Sequence, residues 1–458
     1  MVRFALVWMA ALLALAAGCG GGGGSTTSTA PPAPAKQWSS SIVLDSNYVP
    51  SYLLRDPIYA SDVAGNRMVL VLRNDSGGNR LFASYYSATA KTWGTAQPIQ
   101  AAGTSADFPT LAMLDGGQAI AVWRQAGATT LSLMAANFDP ATGWGLPRSV
   151  APDVISHQVA SRGGEAVILW RPGVASGNAL YSCGFSVANG WGNPEVLALS
   201  SSAAVGQFRI ALDTAGNRLA VWEQAIDSWS NSVFASTYGP GRGWGAQVQL
   251  NASPVPGTAG YQPRVAMAAG GAALVTWAQY QGPNFPANPI GSYYAKYSPT
   301  AGWSSASLAV PEVIDVLAMN PSGFVLAMCL TPNPRLGNAT FSLQSSTFSG
   351  STWRSLSTLA APTTTGLNTN PPSLAVDSSG DFILAFLASQ PAPSGAFDAW
   401  TARFSTTGQS WDTPAKFPGQ SSNVDFVQAI GLPNGEASAL WIPATSAGSY
   451  GVRLANFQ

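Results

Sequence analysis

Arg124, Arg171 and Arg209 fall in successive stretches of similar design, and Glu223 follows close behind. A cluster of arginines offers paired N–H donors to a substrate carboxylate, and a neighbouring carboxyl group is half of what glycoside hydrolysis requires. A glycosidase site of this carboxylate-binding kind would also need a tyrosine nucleophile and an acid Asp, and no convincing tyrosine is identifiable. A serine-type triad would have to use His157, the single histidine, and no G-x-S-x-G elbow accompanies it. Neither CxxC nor HExxH spacing occurs, so no metal centre is expected, and no motif asks for a cofactor.

Binding has a second set of residues. Trp229, Tyr280, Phe285, Tyr293 and Tyr294 stand among Asn, Gln, Ser and Pro in two long connecting segments. Aromatic faces mixed with amides and hydroxyls suit stacking on sugars or packing against a protein. Candidate binding positions are therefore Trp229, Tyr280 and Phe285, with Arg124, Arg171, Glu223 and His157 as polar companions. The competing structural reading is that these side chains only cover the surface and cap strand ends.

All of them sit at defined places in a repeat. A glycine six residues before a large or apolar residue occurs eight times, as Gly65/Val71, Gly117/Trp123, Gly164/Trp170, Gly216/Trp222, Gly271/Trp277, Gly323/Cys329, Gly380/Phe386 and Gly435/Trp441. The glycines are 47 to 57 residues apart. An aromatic closes each following strand, from Tyr86 and Phe138 through to Phe457, and seven of these are followed within five to seven residues by a turn tryptophan. An apolar stretch centred on an alanine precedes each glycine, which makes four short strands per unit, A to D. That length suits one blade of a β-propeller, whereas an immunoglobulin-like domain needs about twice as much chain.

The ends of the chain complement each other. The last unit stops at Phe457-Gln458 without its tryptophan or strand D, and both are found near the start as Trp38 and Ser41-Ile42-Val43-Leu44. If that strand completes the last sheet, no raw edge remains to pair with another chain. The expected fold is all-β, a propeller of eight four-stranded blades closed by the N-terminal strand, with seven blades and a decorated end as the alternative.

Composition agrees with strands. Only 9% of residues are charged, 21 basic against 21 acidic, while Gly (48) and Pro (33) punctuate β-branched and aromatic runs. Nucleic-acid binding depends on clustered Lys and Arg, and no basic run is present. Cys183 and Cys329 lie on predicted strands of different units among apolar neighbours, so buried free thiols are expected and no disulfide.

The N-terminus carries an address. Arg3 precedes an apolar run from Phe4 to Ala17, too short for a membrane span but suited to an export signal. Its end, Leu15-Ala16-Ala17-Gly18-Cys19, resembles the lipobox of bacterial lipoproteins, which implies lipidation of Cys19 and removal of residues 1–18. Residues 19–35, a Gly, Ser, Thr and Pro tether, cannot pack a core, and 36–458 form the propeller. Gly20 after the cysteine implies, by resemblance to enterobacterial sorting, an outer-membrane destination. Loss of Arg3 leaves 20 basic residues against 21 acidic, so steering by net charge is negligible.

The segments AANFDPATGWG (135–145), ASTYGPGRGWG (235–245) and AKYSPTAGWSS (295–305) resemble two propeller repeats. One is the tryptophan-docking repeat of quinoprotein-like propellers, a group that includes an eight-bladed outer-membrane lipoprotein that helps assemble β-barrels. The other is the Asp-box of sialidases, whose spacing Gly408 and Trp411 share although Thr406 stands at the Asp position. Neither resemblance carries a functional residue across. The expected function is a lipid-anchored, non-catalytic binding or scaffold module of the cell envelope. It would act as a monomer with a protein or polysaccharide partner and would touch the membrane only through its lipid. The alternatives are a sialidase-like glycoside hydrolase, drawing on Arg124, Arg171, Arg209 and Glu223, and a purely structural envelope lipoprotein.

Overall fold

The computed structural model of the chain describes residues 36–48 and 57–458 except 76–77, 128–129, 174–177, 201–204, 227–229, 252–256, 282–288, 332–339, 360–363, 366–370, 390–395, 421–422 and 444–450. The leader, Cys19 and the tether lie outside the described residues, as do Trp229 and Phe285.

Residues 37–458 form one compact unit. It consists of eight antiparallel sheets of four or five strands in a ring, a β-propeller, with no α-helix among the described residues. Blade 4 shows the design. Strand A (Val205–Leu212) pairs with B (Arg218–Ala225), B with C (Asn231–Gly239), and C with a strand D in two pieces, Gly243–Trp244 and Val248–Gln249. The eight-blade expectation therefore holds over the seven-blade alternative. Closure also follows the expected route: Ile42–Asp45 is the outermost strand of blade 8, against Val452–Phe457.

Glycine opens the A-to-B turn because the chain there needs a positive φ, which a Cβ disfavours. Seven of the eight repeat glycines adopt it, from Gly65 (86°) to Gly435 (65°). Blade 3 differs: its strands pair through to Arg162 and Glu165, leaving a two-residue turn in which Gly163 (φ 61°) takes the positive angle in place of Gly164. On this face neighbouring turns bond to one another. Asp62 accepts the Gly117 N–H of the next blade at 2.8 Å, the Asp115 N–H reaches the Gly163 carbonyl at 2.9 Å, and the Asn320 side chain donates to the Gly380 carbonyl at 3.0 Å.

Strand B is the middle of each sheet, so its large residues face neighbouring blades on both sides. Trp123, Trp222, Trp277 and Trp441 are each at most 1% exposed. Burying ~200 Å² of apolar ring contributes about 5 kcal/mol of transfer free energy. The indole N–H still needs an acceptor, and in strand geometry the residue two positions on shares its face. Trp123, Trp222 and Trp277 donate to Gln125, Gln224 and Gln279 at 3.3, 3.2 and 2.7 Å.

The turn tryptophans stitch strand D to C. Each pairs with the aromatic that ends strand C, as Tyr86 with Trp93, Tyr238 with Trp244 and Phe404 with Trp411. Blade 8 obeys the same rule across the whole chain, since Trp38 bridges to Phe457. Trp38 also packs edge-on against Phe417, ring centroids 4.7 Å apart.

Candidate functional site

The starts of the A strands and the ends of the B strands share one face of the ring. Here the first-strand ladders are irregular: register shifts interrupt strand A in blades 2 to 6 and in blade 8. A bulge withdraws main-chain groups from the ladder and leaves them seeking partners. At Phe108 (φ 47°) and Gln262 (φ 57°) the chain takes the left-handed conformation to make the bend.

Charged side chains of the preceding blade supply those partners. Arg124, at the end of strand B in blade 2 (Ala119–Ala126), donates to the Ile155 carbonyl of blade 3. Arg171, the matching residue of blade 3 (strand B Glu165–Pro172), donates to the Val205 carbonyl of blade 4. In blade 4 the same repeat position is Glu223, and the group it meets is a donor: Gln262 N–H lies 2.5 Å from its carboxylate. Arg264 continues the series into blade 6 by donating to the Ile314 carbonyl at 3.0 Å. Between blades 8 and 1 a neutral amide does the same work, with Gln428 bonded to both the N–H and the carbonyl of Tyr59.

Within this chain of contacts Glu223 is 6% exposed. It takes a second N–H, from Gln207 at 3.3 Å, and its approach requires a glycine beside it, since a Cβ on Gly206 would stand 2.5 Å from its oxygen. Burial pushes the carboxyl above its ordinary range, opposed by the two N–H bonds and by the fields of Arg209 and Arg171. Burial likewise lowers both guanidinium groups, and Glu223 opposes it. The fold thus brings Arg171, Arg209 and Glu223 into one electrostatic group.

Arg124 belongs to a different one. It grips Asp107 with two N–H groups at 2.8 and 2.7 Å and lies 4.2 Å over the Phe108 ring. His157 feels both members of this pair and is itself buried. The Val122 carbonyl favours its protonation, but neither ring nitrogen completes a hydrogen bond among the described residues, and burial dominates, holding the imidazole down at about 4.

The aromatic residues take other positions. Tyr280 is fully buried, with Tyr261 at 5.7 Å and Ala278 and Val313 around it, so it is not part of a surface ledge. Tyr293 packs into the core between blades 4 and 5, and Tyr294 lies edge-on to Phe348 and Trp353. Tyr293 and Tyr294 alternate on one strand, Pro289–Ser298, and each is half-buried against a neighbouring blade. Sequence reading did not single out Arg264, Gln428 or Gly206. Their signal is weak, because it lies in what the adjacent repeat presents at its bulge. No group of three or more His, Cys, Asp or Glu side chains that could hold a metal ion occurs among the described residues.

No protein-family model and no curated protein matches the chain. Among solved structures, the polysaccharide lyase Uly1 is similar over 74% of this chain and 88% of its own, at 10% identity and a TM-score of 0.45. An α-L-arabinanase of Penicillium chrysogenum complexed with arabinobiose covers 92% and 98% at 9% identity and 0.43. The intramolecular trans-sialidase of Ruminococcus gnavus covers 90% and 96% at 12% and 0.36. Such neighbours are glycoside hydrolases and lyases of distant propeller shape, and the distance is too great to bring chemistry with it.

Proposed function

We propose that this chain is a lipid-anchored, non-catalytic propeller of the bacterial cell envelope that binds a polysaccharide or protein partner. One observation carries the non-catalytic reading: Arg124, Arg171 and Glu223 are each bonded to a main-chain group of the following blade. A general acid or a carboxylate clamp presents its bonds to substrate, whereas each of these groups directs at least one bond to the next blade and Glu223 is 6% exposed. The anchoring rests on Cys19, its apolar leader and the tether that follows.

The hydrolase reading retains one argument, the convergence of Arg171 and Arg209 on a buried carboxyl that is pushed upward. The deciding experiment incubates the protein with neutral and acidic polysaccharides and with sialosides. It follows new reducing ends, unsaturated products and physical retention in parallel. Retention without cleavage is expected; turnover lost in Glu223→Gln would replace this proposal with the hydrolase. Mass spectrometry of the mature N-terminus checks the anchor, which fails if Cys19 carries no lipid or if Cys19→Ala leaves membrane fractionation unchanged.

A further inference from the structure

The opposite face, where the C-to-D turns lie, holds concavities at inter-blade boundaries, and three of them are formed by described residues. One of about 580 Å³ lies between blades 1 and 2, with Tyr85, Gly94, Phe138 and Trp144 in its wall. Another of about 250 Å³, between blades 4 and 5, includes Asn217, Thr237, Trp244, Gly245 and Tyr297. The third, about 480 Å³ between blades 6 and 7, includes Thr347, Arg354, Phe404 and Trp411. In each, the turn of one blade meets the aromatic end of strand C in the next, and the tryptophans are partly exposed.

The lining speaks to ligand chemistry. The groove between blades 1 and 2 has no charged side chain: hydroxyls of Ser87, Thr92 and Thr95 and the Gln97 amide surround its rings. Between blades 4 and 5 two arginines line the groove: Arg218 is stacked 4.2 Å over Tyr238 and paired with Glu165, and Arg242 stands exposed at its edge. Between blades 6 and 7, Arg354 and Asp412 balance in sign. Aromatic walls with scattered hydroxyl and amide groups fit a ligand with apolar faces and many hydroxyls. A single protein partner needs a contiguous patch of about 800 Å² on each side, whereas these grooves are small and separated by three, two and three blade steps around the ring.

We propose that these inter-blade grooves are repeated subsites for the sugar units of a neutral polysaccharide, engaged together so that weak single contacts add by avidity. This rests on the non-catalytic binding reading above and names its ligand and face.

The residue after each turn tryptophan provides a clean test. Gly94 and Gly245 occupy that place in two grooves, with Cβ positions 3.5 and 3.4 Å from the nearest atom and no positive φ. Blade 6 carries Arg354 at the same place, so an arginine is compatible with the repeat. Gly94→Arg and Gly245→Arg should fill their grooves and leave melting temperature within a few degrees of the parent. Native affinity electrophoresis of the full chain would use gels cast with β-glucan, arabinan or galactan, and with hyaluronan as an acidic control. Support is retardation by a neutral polysaccharide that weakens about tenfold for each substitution and further in the double variant. Retardation unchanged in both folded variants overturns the grooves and leaves the binding reading standing. Retardation by hyaluronan alone overturns the neutral class, and retardation by none of the four overturns the grooves together with the polysaccharide reading.

Discussion

Glu223 and Gln262 meet across the boundary between blades 4 and 5, the buried carboxylate accepting a main-chain N–H at 2.5 Å from a residue held in the left-handed conformation. At the same repeat position Arg124 and Arg171 face carbonyls. The sign of the side chain matches the polarity of the main-chain group that the next bulge presents. Five other blades place Leu72, Ala278, Leu330, Leu387 and Ile442 there.

Removing the acceptor should be costly. Glu223→Ala leaves two N–H groups without their partner and is expected to lose about 2–4 kcal/mol in urea unfolding. Glu223→Gln keeps an acceptor and should lose less. Because burial raises this carboxyl above its unfolded value of 4.5, the folded state binds more protons just above that pH, and stability falls as pH rises through the folded value. Denaturation between pH 4 and 8 should show the glutamine variant lacking that decline.

His157 should act in the opposite direction. Its ring titrates at about 4 in the fold against 6.5 when free, so the unfolded chain binds the extra proton and stability is lost as pH falls from 6.5 toward 4. The whole shift corresponds to about 3 kcal/mol. Since neither ring nitrogen is bonded among the described residues, His157→Leu should cost little at pH 7 and remove this acid sensitivity. As the single histidine, it gives one Hε1 resonance in the NMR spectrum, whose titration midpoint should lie near 4; a midpoint near 6.5 would contradict the burial.

Ring closure depends on a partly buried aromatic. Trp38 lies 4.7 Å from Phe417 and 5.5 Å from Phe457, so Trp38→Ala should lower stability by about 3 kcal/mol. Loosening the outermost strand of blade 8 also exposes an edge able to pair with other chains. Light scattering on warming should rise in this variant and not in Ser40→Ala.

Both thiols are buried and free, and burial pushes each above the ordinary range. In a chain carrying Cys19→Ser, a thiol reagent should label no site in the native protein and two sites in denaturant. Rapid native labelling would show that blade 3 or blade 6 opens locally.

The architecture was legible because each unit repeats its own local requirements. Gly216 needs a positive φ, Trp222 needs a buried central strand, and Trp244 needs the aromatic of its own strand C, all within one blade. Even closure could be read, since Phe457 lacked a tryptophan and Trp38 lacked an aromatic. The candidate site was legible in part. Arg171, Arg209 and Glu223 do converge, but their bonds run to Val205, Phe208 and Gln262 main-chain groups, and a bulge's free N–H or carbonyl leaves no mark in residue type.

By itself, then, the order of residues determined the strands, the repeat and which two ends join, because these follow from periodicity and turn chemistry within about fifty residues; the choice of eight blades over seven came from the structure. Tertiary structure decided which polar side chains bond across blade boundaries, that Tyr280 lies inside rather than on a ledge, and that three grooves open beside the turn tryptophans. Those outcomes depend on how one sheet is offset against the next, a relation set by packing between units that no single repeat encodes.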